Sequence, residues 1–323
     1  SDLLIMHEKI LAYLKSTSEY VSGEEISHRL AISRQALWKH IHQLKDAGYD
    51  IVAVPHLGYK LVSSPDRLFA QEITHGLGTK VLGRHVYFFE SVPSTMDIAV
   101  QRGIAGEPEG ALILAETQTK GRGRMGREWI SQRHKGIYAS LILRPDIIPA
   151  QAPILTLMTA VSICEAVNEH CAVKAVIKWP NDICIGTKKL CGILTELEAE
   201  SDQVHCAVIG FGINVNNEKK TLLPVATSLR EETGHTVNRT ALLQGVLRQL
   251  EAHYFFFLKH GSNKIIDAWR QHSITLGRRV KVSLHKSHLE GQAVDIDDDG
   301  ALLVRKDNGL IQRLTAGDII HCR

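Results

Sequence analysis

A segment rich in glycine and arginine is the first feature whose residue types could do chemistry. Residues 121–127 have the sequence GRGRMGR, which matches the dinucleotide-binding fingerprint G-x-G-x-x-G. That fingerprint needs a helix directly after the glycines, and here a strand is predicted next, over 137–143, so we reject it. Glycines let a ligand approach the backbone, and arginines bind carboxylates and phosphates through paired hydrogen bonds. The segment predicts a loop where a carboxylate meets a nucleotide, with a solvated basic loop as the alternative.

Three further motifs follow along the chain. KWPND (178–182) ends a strand at a turn, where Asn181 and Asp182 could hold Mg²⁺ or a ribose, although the same composition is common in ordinary turns. KKLCGIL (188–194) is predicted to be a hairpin tip with two lysines that leads directly into a strand. A lysine held there could direct its ammonium group at a phosphate, or it could simply be solvated. GFGINVN (210–216) is a strand of small residues that could form a backbone wall against a ligand, or only a crowded sheet.

The cysteines argue against a zinc or redox site. The six are Cys164, Cys171, Cys184, Cys191, Cys206 and Cys322. None forms a Cys-x-x-Cys pair, so the spacing for a zinc or dithiol motif is missing. We expect most of them to be small core residues, in the reduced state typical of a cytosol.

In the elements that position these motifs, hydrophobic residues recur with the spacing of helices in some segments and of strands in others. The region from about residue 68 to 270 predicts a mixed α+β domain, because many strands follow each other too closely for βαβ crossovers. The predicted strands are 86–89, 111–116, 137–143, 173–178, 193–196 and 204–215, and the predicted helices are 95–102, 154–170 and 240–260. After Gly277, short strands separated by Asp-Gly and Asn-Gly turns predict a small SH3-like β-barrel.

Residues 1–64 have the order of a winged helix-turn-helix. Three short helices are followed by two short strands, and Ser33 is the expected N-cap of the third helix, which runs to about Ala47. The stretch 29–45 contains four Lys or Arg residues and no acid. Outward-facing residues of that helix fit contact with the DNA major groove: Ser33, Arg34, Gln35, Lys39 and His42. A degenerate interaction domain that no longer binds DNA is the alternative.

The length and composition of the chain limit which classes of protein are possible. The chain has 323 residues, 44% hydrophobic and 23% charged, with a net charge of +3, which is typical of a globular protein of two or three domains. The first 15 residues lack the pattern of a signal peptide, and no uninterrupted apolar run reaches bilayer length. We therefore predict a cytoplasmic protein with no membrane partner. The predicted domains are a DNA-binding domain (1–64), a catalytic domain (66–272) and a C-terminal barrel (275–323).

Taken in series, the four motifs resemble the biotin–protein ligases. GRGRxGRxW, KWPND, KLxGIL and GxGINV stand in the family's order, with Ser94-Thr95 and Gln118 also matching. The N-terminal part, with LWKHI (37–41) and Gly48-Tyr49, resembles the bifunctional members that combine ligase and biotin operon repressor. The resemblance covers essentially the whole chain and implies a biotin/lipoate ligase fold for the catalytic domain.

The family resemblance implies a two-step reaction. The biotin carboxylate attacks the α-phosphate of ATP, which gives biotinoyl-5′-AMP and pyrophosphate, and a lysine of a biotin carboxyl carrier domain then attacks the anhydride. Carried over by position, the catalytic residues are Lys189, Arg122 and Arg124. The biotin-binding residues are Ser94, Thr95, Gln118, Gly121, Arg122, Gly123, Arg124, Lys189 and Gly192. The ATP and adenylate residues are Arg124, Arg127, Trp129, Asn181, Asp182, Lys189 and Asn214, with Asp182 as the Mg²⁺ ligand.

The resemblance also implies partners and leaves alternatives open. It predicts operator DNA and a homodimer promoted by biotinoyl-5′-AMP. Met96 stands where some members have an amide, so no polar role is given to it, and no separate adenine-stacking tryptophan is found. The alternatives are a biotin-sensing regulator without ligase activity and a lipoate-type ligase.

Overall fold

The chain divides into two compact units. The computed structural model describes the backbone of residues 2–284, 287–315 and 317–321 and the side chains of residues 5–283, 288–315 and 317–319. Unit 1 is Ser1–Arg67 and unit 2 is Leu68–Arg323. The division falls three residues beyond the predicted end of the DNA-binding domain. The predicted boundary between a catalytic domain and a C-terminal domain lies inside unit 2 and stays a prediction.

Unit 1 is the predicted winged helix-turn-helix. Its elements are α1 (Asp2–Lys15), α2 (Gly23–Leu30), α3 (Arg34–Asp46), β1 (Asp50–Val54) and β2 (Gly58–Ser63). The side chain of Ser33 accepts a hydrogen bond from the amide of Ala36, which confirms it as the N-cap of α3. Leu37, Ile41 and Leu44 lie buried on the inner face of that helix, as their spacing predicts.

Unit 2 contains two sheets and six helices among the residues the structure describes. Its helices are α4 (Ala70–Thr74), α5 (Thr95–Ile104), α6 (Ala152–Cys171), α7 (Leu229–Thr233), α8 (Arg239–His260) and α9 (Asn263–His272). Its strands are β3 (Val86–Phe89), β4 (Leu112–Ala115), β5 (Ile137–Leu143), β6 (Ala175–Lys178), β7 (Asp182–Ile185), β8 (Lys188–Ala199), β9 (Val204–Ile213), β10 (Arg279–Leu284), β11 (Ser287–Ile296), β12 (Leu302–Arg305), β13 (Ile311–Leu314) and β14 (Asp318–His321).

The larger sheet has seven strands in the order β3-β4-β5-β9-β8-β7-β6. The pair β3–β4 is parallel, and the other pairs are antiparallel. This mixed sheet confirms the predicted α+β class. The smaller sheet has the order β13-β12-β11-β10-β14. It confirms the predicted small C-terminal β-domain.

Helix α6 forms the centre of the core. Pro149–Cys171 is long and apolar enough to cross a membrane by length and composition, although polar residues interrupt it. Most of this helix is buried in the protein, where α6 packs against α8, α9 and the large sheet. Its hydrophobicity is therefore explained by its place in the core, since a helix covered on all sides needs no polar face.

The structure sharpens several predicted elements. The strand predicted at 193–196 is the longer β8, and β7, which follows the KWPND turn, was not predicted as a strand. The helix α9, which the sequence analysis did not identify, buries Ile265, Ile266 and Trp269. The five cysteines of the described part are buried and free, which confirms their core role. Cys322 lies outside the described residues.

Candidate active site

A cavity of about 620 Å³ lies over the centre of the large sheet. Its floor is formed by β5, β8 and β9, where Gly192, Gly210 and Gly212 leave room above the backbone. The arginine-glycine loop predicted from residues 121–127 borders it, with a single 3₁₀ turn at Arg124–Gly126 and no following α-helix, so rejecting the dinucleotide fingerprint was correct. The cavity is lined by these predicted site residues: Ser94, Thr95, Gln118, Arg122, Gly123, Arg124, Arg127, Trp129, Asn181, Asp182, Lys189, Gly192 and Asn214.

Gly121 is the one predicted unit-2 site residue that does not line this cavity. A Cβ at Gly121 would lie 2.6 Å from the carbonyl oxygen of Trp129 and 3.0 Å from Nε2 of Gln118. The amide of Trp129 donates to the carbonyl of Gly121 at 2.9 Å, which closes the base of the loop. Close packing at the base of the loop accounts for a glycine here, and the biotin-binding role of Gly121 stays a prediction.

One end of the cavity is a chain of uncharged polar groups. Oε1 of Gln118 accepts from the amide of Thr95 at 2.8 Å and from its hydroxyl at 3.1 Å. The same hydroxyl lies 2.9 Å from Oγ of Ser140, which is fully buried in β5. Ser94 caps α5, but its hydroxyl makes no capping hydrogen bond. This end can bind a small polar group by hydrogen bonds without a formal charge.

Arg122 holds the loop to the sheet and to α5. Its guanidinium donates to Asp97 and, at 2.9 Å, to Glu196, and it reaches Oγ of Ser94 at 3.4 Å. Partial burial opposes its charge, but the hydrogen bond to Asp97 and the charge of Glu196 raise the pKa of Arg122. Both carboxylates were missed by the sequence analysis, because nothing in their local pattern marks them as partners of this arginine.

Arg124 is the more buried cation of the loop. It donates to Oδ1 of Asn181 at 3.1 Å and to the carbonyl of Gly317 at 3.4 Å. Burial lowers the pKa of Arg124, a shift that the nearby carboxylates of Asp318 and Asp182 only partly oppose. An arginine whose water has been removed in this way interacts more strongly with an arriving anion.

Lys189 lines the same cavity as this loop. It is the second residue of β8, and its ammonium lies 2.7 Å from Oδ1 of Asp182, the first residue of β7. The amide of Lys189 donates to the carbonyl of Val225 at 2.8 Å. Because two strands and a loop fix the backbone here, the ammonium is aimed at the cavity rather than left in solvent.

Trp129 packs flat against the glycine floor. A Cβ at Gly212 would lie 2.5 Å from its indole ring, and one at Gly192 would lie 3.1 Å from it. The ammonium of Lys189 lies 5.5 Å from the ring centroid. Nε1 of Trp129 is buried with no hydrogen-bond partner among the described residues. It is a donor that a ligand in the cavity could satisfy.

An apolar loop completes the other end of the cavity. Leu222, Leu223 and Val225 line it, and Leu223 and Val225 are also largely exposed. The sequence analysis did not single them out, since three aliphatic residues between strand and helix carry no chemical signal of their own. They provide an apolar surface beside Asn214, whose Nδ2 donates to the carbonyl of Thr227.

The residues near Asp182 fit a metal that arrives with a substrate better than a resident ion. Among the described residues, no group of three or more His, Cys, Asp and Glu side chains could hold a metal. Asp182 supplies one carboxylate, already paired with Lys189. Mg²⁺ is often bound by one or two carboxylates together with substrate phosphates, so Asp182 fits Mg²⁺ carried in by a nucleotide.

The predicted DNA-binding residues lie together on the outer face of α3. Arg34, Gln35, Lys39 and His42 are exposed there. Arg34 forms an ion pair with Glu24 of α2 at 2.7 Å, which offsets part of its charge. Ser33 accepts a hydrogen bond through Oγ to cap the helix, and its hydroxyl hydrogen can still donate to a partner.

Three family models match this chain. The Biotin/lipoate A/B protein ligase family matches residues 88–214, an HTH domain matches residues 7–60, and the Biotin protein ligase C terminal domain matches residues 275–322.

Full-length relatives are also similar. The chain is 39% identical to the Bifunctional ligase/repressor BirA of Bacillus subtilis over 311 residues, covering 95% of both chains. It is 32% identical to the Escherichia coli protein of the same description over 313 residues, covering 96% of this chain and 95% of that one. A solved biotin protein ligase from Aquifex aeolicus, in complex with biotin and ATP, superposes with a TM-score of 0.64 at 28% identity, covering 74% of this chain and 99% of that chain.

Proposed function

The chain belongs to the family of bifunctional biotin ligase/repressors, and we propose that it joins biotin to a lysine of a biotin carboxyl carrier protein with ATP and represses transcription in response to biotin. The observation that carries the ligase half is a single cavity with an uncharged polar end and, across the glycine floor, the cations Lys189 and Arg124. We also propose three domains, 1–64, 66–272 and 275–323, and a cytoplasmic site of action.

The polar end suits the ureido group of biotin. Thr95, Gln118 and Ser140 offer hydroxyl and amide groups in one hydrogen-bonded chain. The neighbouring wall is apolar, with Met96 and Leu194 lining it, so an alkyl chain can lie along it toward Lys189. Met96 accordingly contributes apolar surface rather than a hydrogen bond.

The opposite end suits the phosphates and base of the nucleotide. Lys189 and Arg124 would face the α-phosphate, with Asn181 and Asp182 beside the Mg²⁺ that ATP carries. Trp129 and the apolar loop at 222–225 would flank the adenine. They would make the apolar contact that a separate tryptophan makes in some members of the family. Arg122, held by two carboxylates, would act chiefly by keeping the loop in place over biotin.

Chemistry in this site needs positioning more than a protein nucleophile. A carboxylate oxygen of biotin attacks the α-phosphorus of ATP, the bond to the bridging oxygen breaks, and pyrophosphate leaves. The ε-amine of the carrier lysine then attacks the carbonyl of the mixed anhydride, loses a proton, and AMP leaves. Lys189 and Arg124 neutralise the negative charge that develops on the α-phosphoryl oxygens in the first step.

Transfer of biotin to a purified carrier domain tests the ligase. We expect the carrier to gain the mass of one biotin, on its lysine, when protein, biotin, ATP and Mg²⁺ are all present. Omission of any of them is the control. A folded protein that binds biotin but transfers none would instead support a biotin-sensing regulator without ligase activity, and preference for lipoate over biotin would support a lipoate-type ligase.

Sedimentation and DNA binding test the repressor half. We propose that biotinoyl-5′-AMP promotes a homodimer and that the dimer binds an operator with two half-sites. The exposed cationic face of α3 supports DNA binding, because helix-turn-helix dimers place such helices in successive major grooves. We expect biotin with ATP, but neither alone, to increase both the sedimentation coefficient and the affinity for DNA. A monomer under all conditions with no sequence preference would contradict it.

A further inference from the structure

The outer face of α3 exposes a large aromatic residue among the cationic residues. Contacts of those cations with phosphates would not require an exposed aromatic side chain there. The side chain of Trp38 is 55% exposed, whereas its helix neighbours Leu37 and Ile41 are each 1% exposed. Residues four apart lie on the same side of a helix. Trp38 is therefore centred on the exposed face, between Arg34 at one end and His42 at the other.

Trp38 is held in place by His42. The two ring centroids lie 3.8 Å apart with an interplanar angle of 38°, and Nδ1 of His42 lies 3.0 Å from the carbonyl oxygen of Trp38. A carbonyl can only accept, so Nδ1 carries the hydrogen in this contact. The stacked ring and the hydrogen bond together fix the histidine against the indole, which leaves the indole in a defined orientation.

The charges around Trp38 identify the kind of surface that would cover it. Lys39 and Lys45 are exposed on the same helix, whose one acid, Asp46, is its last residue, and Glu24 of α2 pairs with Arg34. A cationic surface with one apolar centre complements a DNA major groove, where phosphates flank the base edges. The apolar feature that the major groove presents is the C5-methyl group of thymine.

We propose that Trp38 is a sequence-reading residue that packs against a thymine methyl group in the operator, with His42 as the residue that positions its ring. This inference rests on the repressor half of the proposed function and adds a base contact that the cationic residues do not supply. Lysines contact phosphates with little sequence preference. Trp38 makes the protein prefer an A·T pair at one position of each half-site.

Removing single methyl groups from DNA tests the contact directly. The wild-type chain, with biotin, ATP and Mg²⁺, is used to select its preferred duplexes from a randomised pool. Each thymine of the selected sequence is then replaced by deoxyuridine, which removes only the methyl group. We expect wild-type affinity to fall roughly threefold to tenfold at one thymine per half-site, within the usual range for one altered base contact.

Three variants separate the sequence contact from general DNA affinity. Trp38→Ala should bind the selected duplex roughly tenfold more weakly and become insensitive to the critical deoxyuridine. Trp38→Phe, which keeps an aromatic ring, should retain part of that sensitivity. Lys39→Ala should weaken binding to all duplexes, reduce the salt dependence and keep the deoxyuridine effect. Biotin transfer to the carrier should be unchanged in Trp38→Ala, which shows that the variant is folded.

The outcomes distinguish this inference from the function on which it rests. If the wild type enriches no sequence, the repressor half fails and the inference fails with it. If the wild type enriches a sequence and Trp38→Ala keeps both the preference and the deoxyuridine effect, the inference alone is overturned. Slower biotin transfer by Trp38→Ala with unchanged DNA preference would assign Trp38 to the catalytic reaction and also overturn it.

Discussion

At the scale of single residues, the site is organised around cations that differ in their surroundings. Lys189 faces Asp182, Arg122 faces two carboxylates, and Arg124 donates hydrogen bonds to an amide oxygen and a backbone carbonyl oxygen. Positive charge that is already neutralised by carboxylates stabilises new negative charge less than charge held by neutral acceptors. Within the loop, the loss of Arg124 should therefore affect the phosphoryl step more than the loss of Arg122.

Replacing Lys189 should separate binding from chemistry. Lys189→Ala should slow biotin-dependent pyrophosphate exchange roughly 100-fold or more, because the lysine stabilises charge that develops only in the transition state. Biotin affinity, measured by titration, should change little. Lys188→Ala is the matched control, since Lys188 is the exposed neighbour on the same strand. Equal loss of biotin affinity and exchange rate would make Lys189 a binding residue instead.

At the scale of elements, the glycines of β9 decide which side chains can lie on the sheet. Gly210 and Gly212 are two apart, so they face the same side of the strand. Gly212 accommodates the indole of Trp129, while a Cβ at Gly210 would lie 3.2 Å from Sδ of Met96 and 3.3 Å from Oγ of Ser140. One strand thus shapes both ends of the cavity.

These two glycines give paired variants with different outcomes. Gly212→Ala should displace Trp129 and weaken ATP binding, with about 1–3 kcal/mol lost in stability from overpacking. Gly210→Ala should instead affect biotin binding and leave ATP binding nearly unchanged. The Michaelis constants for ATP and biotin, with the melting temperature of each variant, test this. The same change in both constants for both variants would show that the cavity ends are not separately shaped.

A buried ion pair ties the strand before Gln118 to the start of α8. Arg239 and Glu116 are both fully buried with 2.7 Å between their charged atoms, and Glu116 also accepts from the amide of Leu68. Although burial opposes its charge, the hydrogen bond from Arg239 lowers the pKa of Glu116. This pair fixes the backbone two residues before Gln118.

Removing one member of that pair should be strongly destabilising. Arg239→Met should lower the free energy of unfolding by about 3–5 kcal/mol, because it leaves a buried carboxylate without its partner. Arg230→Met is the control, since the ion pair of Arg230 with Glu218 is partly exposed and longer, at 3.7 Å, and should change stability by about 0.5 kcal/mol or less. Chemical denaturation measures both. A similar small effect for Arg239→Met would contradict the assigned role.

At the scale of the whole molecule, acid should destabilise unit 2. Burial opposes the charge of Glu165, but the hydrogen bond with His253 at 2.8 Å and the nearby imidazole of His272 at 3.9 Å lower its pKa from 4.5 to about 2. A carboxyl whose pKa is lowered by folding stabilises the protein above its unfolded value, and this stability is lost as the pH falls through the folded value. Glu116 adds to the effect in the same direction.

Replacing Glu165 should flatten this dependence. Between pH 5 and pH 2, the free energy of unfolding of Glu165→Gln should fall less steeply than that of the wild type. Glu169→Gln is the control, because Glu169 is exposed one turn further along the same helix. Urea denaturation across this range measures the slopes, and identical slopes for Glu165→Gln and wild type would count against the pKa shift.

The division into two units predicts separable activities. A chain without residues 1–64 should lose DNA binding and retain biotin transfer to the carrier, because the cavity is built from unit 2 alone. Mass analysis of the carrier and binding to the selected duplex measure the two activities. Complete loss of transfer by a folded truncated chain would show that the units are functionally coupled.

The sequence by itself determined the class of chemistry, the order of elements and most of the site. Motifs such as GRGRMGR and KWPND are local, and periodic patterns such as that of α3 follow directly from helix and strand geometry. These features could be predicted because each depends on residues that are neighbours in the chain. The family resemblance then supplied the roles predicted for Lys189 and Gln118, which spacing alone left open.

Only the tertiary structure decided which distant residues meet. Ser140 joins the hydrogen-bonded chain from Thr95, and Glu196 pairs with Arg122 across 74 residues. It likewise showed that Gly121 packs inside the loop and that Gly212 makes room for Trp129. Such contacts depend on the order and register of strands in the sheet, which a sequence pattern does not encode locally, because the same alternation of residues is compatible with many strand neighbours.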